Sequence, residues 1–247
     1  MPQLEAQSFD AVICDEPYGT TNCPWDAVIP FDVMWSNINR LSKLRAPTVL
    51  FGSQPFTSLL IASNLEMFRY EWVWDKRLPT GYLDANRKPL KRHENIVVFC
   101  EGRSLCNPIM RKGVLRIKGG MNRQSPVYGK YESTSTFNDN YYPTSIIEIS
   151  GANQVNKVHS TEKPLLLMEY LVKTYTNPGD TVLDFCAGSG TTLRACKNLG
   201  RRSVGIEMLE HYCQATVKRL APAFEAALID DGASLTDLPL FAMEETR

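Results

Sequence analysis

The sequence predicts an α/β fold built on a doubly wound, mostly parallel sheet. Short apolar or β-branched runs recur at 10–14, 47–51, 70–74, 95–100, 181–185 and 203–206, each the length of a buried strand. Helical patterns lie between several of them, at 31–44, 57–65, 164–174, 191–199 and 210–220. Strands alternating with helices pair in parallel through crossovers.

Each element has a local reason. Phe9-Asp10-Ala11-Val12-Ile13-Cys14 is a strand, apolar but for Asp10, and the helix at 31–44 carries Trp35, Ile38 and Leu41 at helical spacing. Trp72 and Trp74 alternate along their strand, which assigns both to core packing. The rhythm breaks at 101–153, which is polar, basic and rich in Gly, Ser, Asn and Tyr. A structureless loop of that length does not suit a compact domain, so the stretch reads as an insertion with small structure of its own.

Bulk properties exclude several classes. The 247 residues, with 43% hydrophobic and 22% charged content, fit one α/β domain with an insertion. No apolar run is long enough to span a bilayer, and the acidic N-terminus is not a signal peptide; a cytoplasmic protein without a membrane role is expected. The seven cysteines are scattered without a CxxC pair, so neither a disulfide framework nor a metal site is expected. Twenty-seven basic residues balance 27 acidic ones, but clustering matters more than the sum. Between Arg69 and Lys130 the chain is dense in Lys and Arg, and Tyr82, Tyr128, Tyr131, Tyr141 and Tyr142 lie in or near that stretch. This suits nucleic-acid contact, although such a run also serves as a solvated face.

Strand 181–185 runs into Cys186-Ala187-Gly188-Ser189-Gly190-Thr191-Thr192 and then a helix. Glycines allow close backbone approach, and a helix start offers free N–H groups. Glu207 follows the next strand, placed to bind ribose hydroxyls. A nicotinamide site would want a third Gly where Leu193 stands. Asp184, just before the turn, favours a cationic ligand. S-adenosylmethionine carries an ammonium and a sulfonium and no pyrophosphate, so it fits better; a bare tight turn is the plainer alternative.

The first strand exits into Asp15-Glu16-Pro17-Tyr18. Ligands of doubly wound sheets bind beyond the strands' carboxyl ends, so this tetrapeptide and 184–190 can face one cleft. An exocyclic amino nitrogen of a base is a poor nucleophile because its lone pair is delocalised. Acceptors on its two protons, the Asp15 carboxylate and the residue-16 carbonyl, would aim the lone pair at a methyl group. Tyr18 offers a face on which an extruded base can stack.

On these residues the sequence resembles the amino-methylating DNA methyltransferases of the β arrangement, in which the catalytic half precedes the cofactor half, and within them a phage and bacterial branch. Besides the tetrapeptide, the similar segments are Gly19-Thr20-Thr21 with Trp25-Asp26, Phe51-Gly52-Ser53-Gln54-Pro55-Phe56, Arg92-His93-Glu94-Asn95, His159-Ser160-Thr161-Glu162-Lys163-Pro164 and 184–192 with Glu207. The resemblance implies a circularly permuted Rossmann-like methyltransferase sheet. Residues 1–100 would form the catalytic half, 101–158 the target-recognition insertion, 159–222 the cofactor half and 223–247 an acidic tail. It implies Asp15, Glu16, Pro17 and Tyr18 as the catalytic tetrapeptide. Thr161, Lys163, Asp184, Phe185, Gly188, Gly190, Thr191 and Glu207 would bind S-adenosylmethionine. The partner would be double-stranded DNA with a flipped target base, and the oligomer a homodimer. Asp in first position points to adenine N6. Cytosine N4 and a catalytically impaired DNA-binding homologue are the rivals, and methylation of a protein glutamine is a weaker one.

Two features depart from the resemblance. Glu16 stands where Pro or an apolar residue is usual, and its carboxylate adds negative charge beside Asp15, an adjacency expected to oppose ionisation of the pair. A strand with a Gly-Asp pair usually lies upstream of the first one here, so either a minimal adenine pocket or an earlier start is expected.

Overall fold

The run Ala11–Cys14 forms β1, and none of its four residues is accessible to solvent. A strand buried on both faces belongs in the middle of a covered sheet. β1 accordingly pairs in parallel with β2 (Thr48–Gly52) on one side and β10 (Thr181–Asp184) on the other. The protein is described by a computed structural model covering residues 1–20, 23, 26–118, 123–125, 129–131, 136–151 and 162–231. Thr161, His159 and Trp25 from the sequence reading, and the acidic tail beyond 231, lie outside the described residues.

β11 (Arg202–Gly205) flanks β10, while β4 (Lys91–Phe99), β3 (Phe68–Thr80) and β9 (Ile146–Glu148) extend the other side. The order of this seven-stranded sheet is β11-β10-β1-β2-β4-β3-β9. β4 alone runs against its neighbours, with Gly52 opposite Asn95. The carboxyl ends of β1, β2, β10 and β11 and the start of β4 therefore share one edge.

Strand alternation sends side chains to two faces, and helices cover both. Val12, Cys14, Leu50 and Val97 pack with Met34, Trp35, Ile38 and Leu41 of α1 (Phe31–Leu41) and Leu60 of α2 (Phe56–Ser63). Ile13, Val49, Ile96 and Val98 pack on the other face with Leu167, Leu171 and Tyr175 of α3 (Leu165–Tyr175) and Ala195 of α4 (Thr191–Asn198). The sheet is doubly wound, as the sequence predicts. Trp72 and Trp74 are buried in the core, also as expected. A final helix, α5 (Glu210–Asp231), follows β11. Among the described residues no helix is long and apolar enough to cross a membrane.

Several boundaries differ from the sequence reading, among them the end of α5, which runs to Asp231 rather than 220. α1 stops at Leu41 rather than 44, because the Lys43 amide donates to the Phe9 carbonyl (2.9 Å), tying the chain to the start of β1. β3 and β4 extend as a hairpin to Thr80 and from Lys91, beyond the apolar runs at 70–74 and 95–100. Charged pairs hold that extension, Arg92 with Asp75 and Lys76 with Glu94, and cross-strand charge has no hydrophobic period to read. β9 returns to the main sheet, with the Val73 amide bonded to the Ser145 carbonyl (2.8 Å).

The chain divides into two compact units, Met1–Asn107 with Ser145–Arg247, and Pro108–Thr144. The second contains β5 (Arg111–Lys118) paired antiparallel with β8 (Thr136–Tyr141), and β6 (Arg123–Ser125) paired with β7 (Gly129–Tyr131). Arg111, Lys112, Val114, Arg116 and Tyr141 line an open recess of about 380 Å³ in it. The Arg116 guanidinium lies 5.7 Å from the Tyr141 ring centroid.

Polar contacts also fasten α3 to the sheet. The Tyr175 hydroxyl accepts from the Trp72 indole N–H (2.6 Å) and lies 3.1 Å from the Tyr70 hydroxyl. Tyr175 is fully buried, so Tyr175→Phe leaves the indole donor without a partner. We expect a loss of about 1–3 kcal/mol in unfolding free energy, measured by urea denaturation. An unchanged midpoint would refute this anchoring role.

Candidate active site

The shared sheet edge gathers charged side chains from segments far apart in sequence. Asp15 leaves β1, Glu94 opens the core part of β4, Asp184 ends β10, and Lys163 immediately precedes Pro164 and α3. The Lys163 ammonium donates to Asp15 Oδ2 at 2.5 Å and lies 3.5 Å from Glu94 Oε2. Its Nζ also sits 5.0 Å from the Phe51 ring centroid and 5.7 Å from that of Tyr18. Lys163 is buried, and burial alone would lower its pKa; the Asp15 and Glu94 carboxylates outweigh that and hold it above the usual value. Glu94 shows the converse. Burial would raise it, but Lys163 and Lys76 hold it below the usual carboxylate range.

The expected tetrapeptide forms one bend around this pair. The Tyr18 hydroxyl donates to Asp15 Oδ1 (2.7 Å), so each Asp15 oxygen has a partner. The Tyr18 ring stacks on Phe56 with centroids 5.3 Å apart and planes at 28°. Burial and the Asp15 carboxylate push the Tyr18 phenol well up, so it remains a neutral donor. Pro17 is half-buried, and Glu16 is 3% exposed. Neither Glu16 carboxylate oxygen has a hydrogen-bond partner among the described residues.

The glycine turn stands beside it. Asp184 is buried and accepts from the Cys186 amide (3.1 Å), yet burial raises its pKa to about 6. Phe185 is buried in the core beneath the turn. The Gly188 amide donates to Glu207 Oε2 (2.8 Å), and Glu207 Oε1 accepts from the Met208 and Leu209 amides. Gly190, with φ +77°, precedes α4, and a Cβ there would lie 2.4 Å from Thr216 Cγ2. Only glycine satisfies both conditions. Thr191, the first residue of α4, is buried and accepts from Arg219 (2.8 Å).

Asp15, Glu16, Tyr18, Lys163 and Asp184 therefore share one edge, with Gly188, Gly190, Thr191 and Glu207 around the adjoining turn. Sequence reasoning did not assign several supporting residues. Glu94 and Lys76 complete the ion-pair network. Asp26 accepts from the Tyr18, Gly19 and Thr20 amides at 2.8–2.9 Å, fixing the exit of the bend. Glu162 accepts from Arg219 and from the Ser189 hydroxyl, joining α5 to the glycine turn. The motifs around Trp25-Asp26, Arg92-His93-Glu94-Asn95 and Glu162-Lys163 flagged these segments; the partners become visible only in the fold.

Among the described residues here, the carboxyl groups of Asp15, Glu16, Glu94 and Asp184 outnumber the ammonium groups of Lys163, Lys76 and Lys91. That excess of acid suits a cationic ligand and opposes one bearing phosphates.

Comparison with known proteins agrees with this geometry. The DNA methylase family model N6_N4_Mtase matches residues 9–218. The type II methyltransferase M.HpaI of Haemophilus parainfluenzae is 26% identical over 240 residues, covering 91% of this chain and 72% of its own length. The solved M1.HpyAVI–SAM complex is 25% identical, with a TM-score of 0.59, and the match covers 89% of this chain and 91% of that one. The cytosine-N4-specific PvuII DNA methyltransferase matches with a TM-score of 0.63 at 16% identity, over 88% and 81% of the two chains, which shows a common fold. With its family model spanning the sheet, the tetrapeptide bend and the glycine turn together, the chain belongs to the N6/N4 family of DNA methylases.

Proposed function

We propose that this protein transfers the methyl group of S-adenosylmethionine to the N6 amino group of adenine in double-stranded DNA. The observation that carries the reading is the Asp15 carboxylate, held by Lys163 and Tyr18 beside the acid-rich glycine turn. Asp184, Gly188, Gly190, Thr191, Lys163 and Glu207 would hold the cofactor, with Phe185 packed beneath, and Thr161 joins them by its place in the sequence motif. The cofactor supplies an electrophilic methyl on a sulfonium.

The chain's own groups prepare the nucleophile. Asp15 retains lone pairs beyond those used by Tyr18 and Lys163 and accepts one N–H of the target amino group. The residue-16 carbonyl accepts the other. Both acceptors are fixed before the base arrives, so they stabilise developing positive charge on nitrogen without reorganising. Lys163 holds Asp15 in place. The Tyr18 ring, backed by the buried Phe56, supplies the stacking surface for a base turned out of the duplex. The recess lined by Arg111, Lys112 and Arg116 fits contact with phosphates, which supports a target-recognition role for the insertion at 101–158.

Three outcomes test this reading. Long-read sequencing of DNA from cells expressing the protein should show N6-methyladenine at a fixed sequence; N4-methylcytosine instead would overturn the choice of base. Asp15→Asn should lower kcat in a tritiated methyl-transfer assay by roughly 10²–10³-fold, as loss of a pre-placed charge-stabilising group does. The double variant Lys112→Ala, Arg116→Ala should weaken DNA binding at all sequences and reduce the log–log salt slope by about 1 for each phosphate no longer neutralised. A slope equal to wild type would remove these cations from the DNA interface.

A further inference from the structure

We propose that the Glu16 side chain is itself a cofactor-binding group, receiving the α-ammonium of S-adenosylmethionine in its carboxylate. This role is separate from that of the residue-16 carbonyl, and it rests on the cofactor assignment rather than on the choice of target base.

The side chain is 3% exposed, and both its oxygens lack a hydrogen-bond partner among the described residues. A buried acid in that condition is costly unless a cation or donor completes it. The groups around it do not do so. Cys14 and Asp15 face it from the end of β1, Asp184 and Cys186 from the end of β10 and its turn, Tyr18 from its own bend and Lys163 from the start of α3. Two of these are carboxyl groups. Lys163, the nearby cation, is already engaged by Asp15 and Glu94. The orphan acceptor therefore lies between the catalytic bend and the glycine turn, where a cationic ligand group completes it.

Binding by this group has a proton signature. Burial pushes the Glu16 carboxyl well above the usual range against the pull of its own backbone amide; Asp15 and Asp184 add to the rise and Lys163 opposes it. Without cofactor the side chain therefore holds its proton more strongly than an ordinary carboxyl group. A bound ammonium favours the carboxylate, so the carboxyl O–H bond breaks and its proton passes to buffer. The folded, cofactor-free pKa is high and the cofactor-bound pKa lower. Affinity consequently rises with pH between the two, by up to about tenfold per pH unit.

The test is calorimetric titration of the full chain with S-adenosylmethionine and with S-adenosylhomocysteine, in buffers of different ionisation enthalpy at pH 7. At that pH an Asp184 titrating at about 6 is already largely ionised. Wild type should release up to about one proton per cofactor bound. Glu16→Gln should abolish that release and weaken both ligands by roughly tenfold, since both carry the ammonium. Equal affinity and equal proton release in wild type and Glu16→Gln would overturn the proposal. Weakening confined to S-adenosylmethionine would overturn it as well, by assigning Glu16 to the sulfonium. If the variant does not fold, the wild-type proton count decides alone, and a value near zero rejects the inference. All these readouts are of binding, so an inactive or cytosine-directed enzyme leaves them valid.

Discussion

Ala11 pairs with Val182 and Val12 with Leu183, and the rest of the site depends on that short parallel contact. It is reinforced at the opposite edge, where Asp10 Oδ2 accepts from the Thr181 amide (2.9 Å) across 171 residues of sequence. Because the strands run in the same direction, both exits lie on one side, and Asp15 comes to stand near Asp184. An antiparallel pairing of the same residues would put these acids on opposite edges. A slip of one residue would turn Val12 and Cys14 from one helix layer to the other and break both cores. Hydrophobic burial thus sets the position of the charges, although the charges contribute little to the burial.

Bringing several acids to one low-dielectric edge is unfavourable unless something offsets it. Lys163 provides much of the offset, bonded to Asp15, close to Glu94, and walled by Phe51 and Tyr18. Buried ion pairs of this kind roughly balance their own desolvation, so their contribution is positional. Lys163 ties the segment before α3 to β1 and β4 and fixes the Asp15 carboxylate. The remaining acids differ in what they are given. Asp184 accepts the Cys186 amide at 3.1 Å, whereas no donor stands at hydrogen-bond geometry to either Glu16 carboxylate oxygen among the described residues. The site is thus complete around Asp15 and electrostatically unfinished towards the glycine turn, the side on which Gly188 and Glu207 lie.

How much of this could be read in the sequence follows from the range of each interaction. The strands and helices of the main sheet were legible because burial leaves a local period, as in Trp35, Ile38 and Leu41 or Trp72 and Trp74. Glycine positions were legible for a similar reason: the positive φ of Gly188 and Gly190 belongs to the turn itself. The hairpin extension of β3 and β4 was not, because pairs such as Asp75–Arg92 have no spacing rule. The Arg219–Glu162 contact, across 57 residues, and the Lys163–Asp15 contact, across 148, are likewise invisible before folding. Glu16 lies between these cases. Its negative charge beside Asp15 was plain from adjacency, while its burial without a partner depends on β10 lying alongside β1.

The same physics bears on how a chain of zero net charge handles a polyanion. An edge crowded with carboxyl groups repels phosphates, so backbone affinity cannot originate there. The cations around the recess belong to Pro108–Thr144, a different compact unit. The sum over 247 residues describes neither group of charges. An edge rich in carboxyl groups in one unit and a recess lined by Arg111, Lys112 and Arg116 in another call for opposite compositions. A balanced total is what results when one chain carries both.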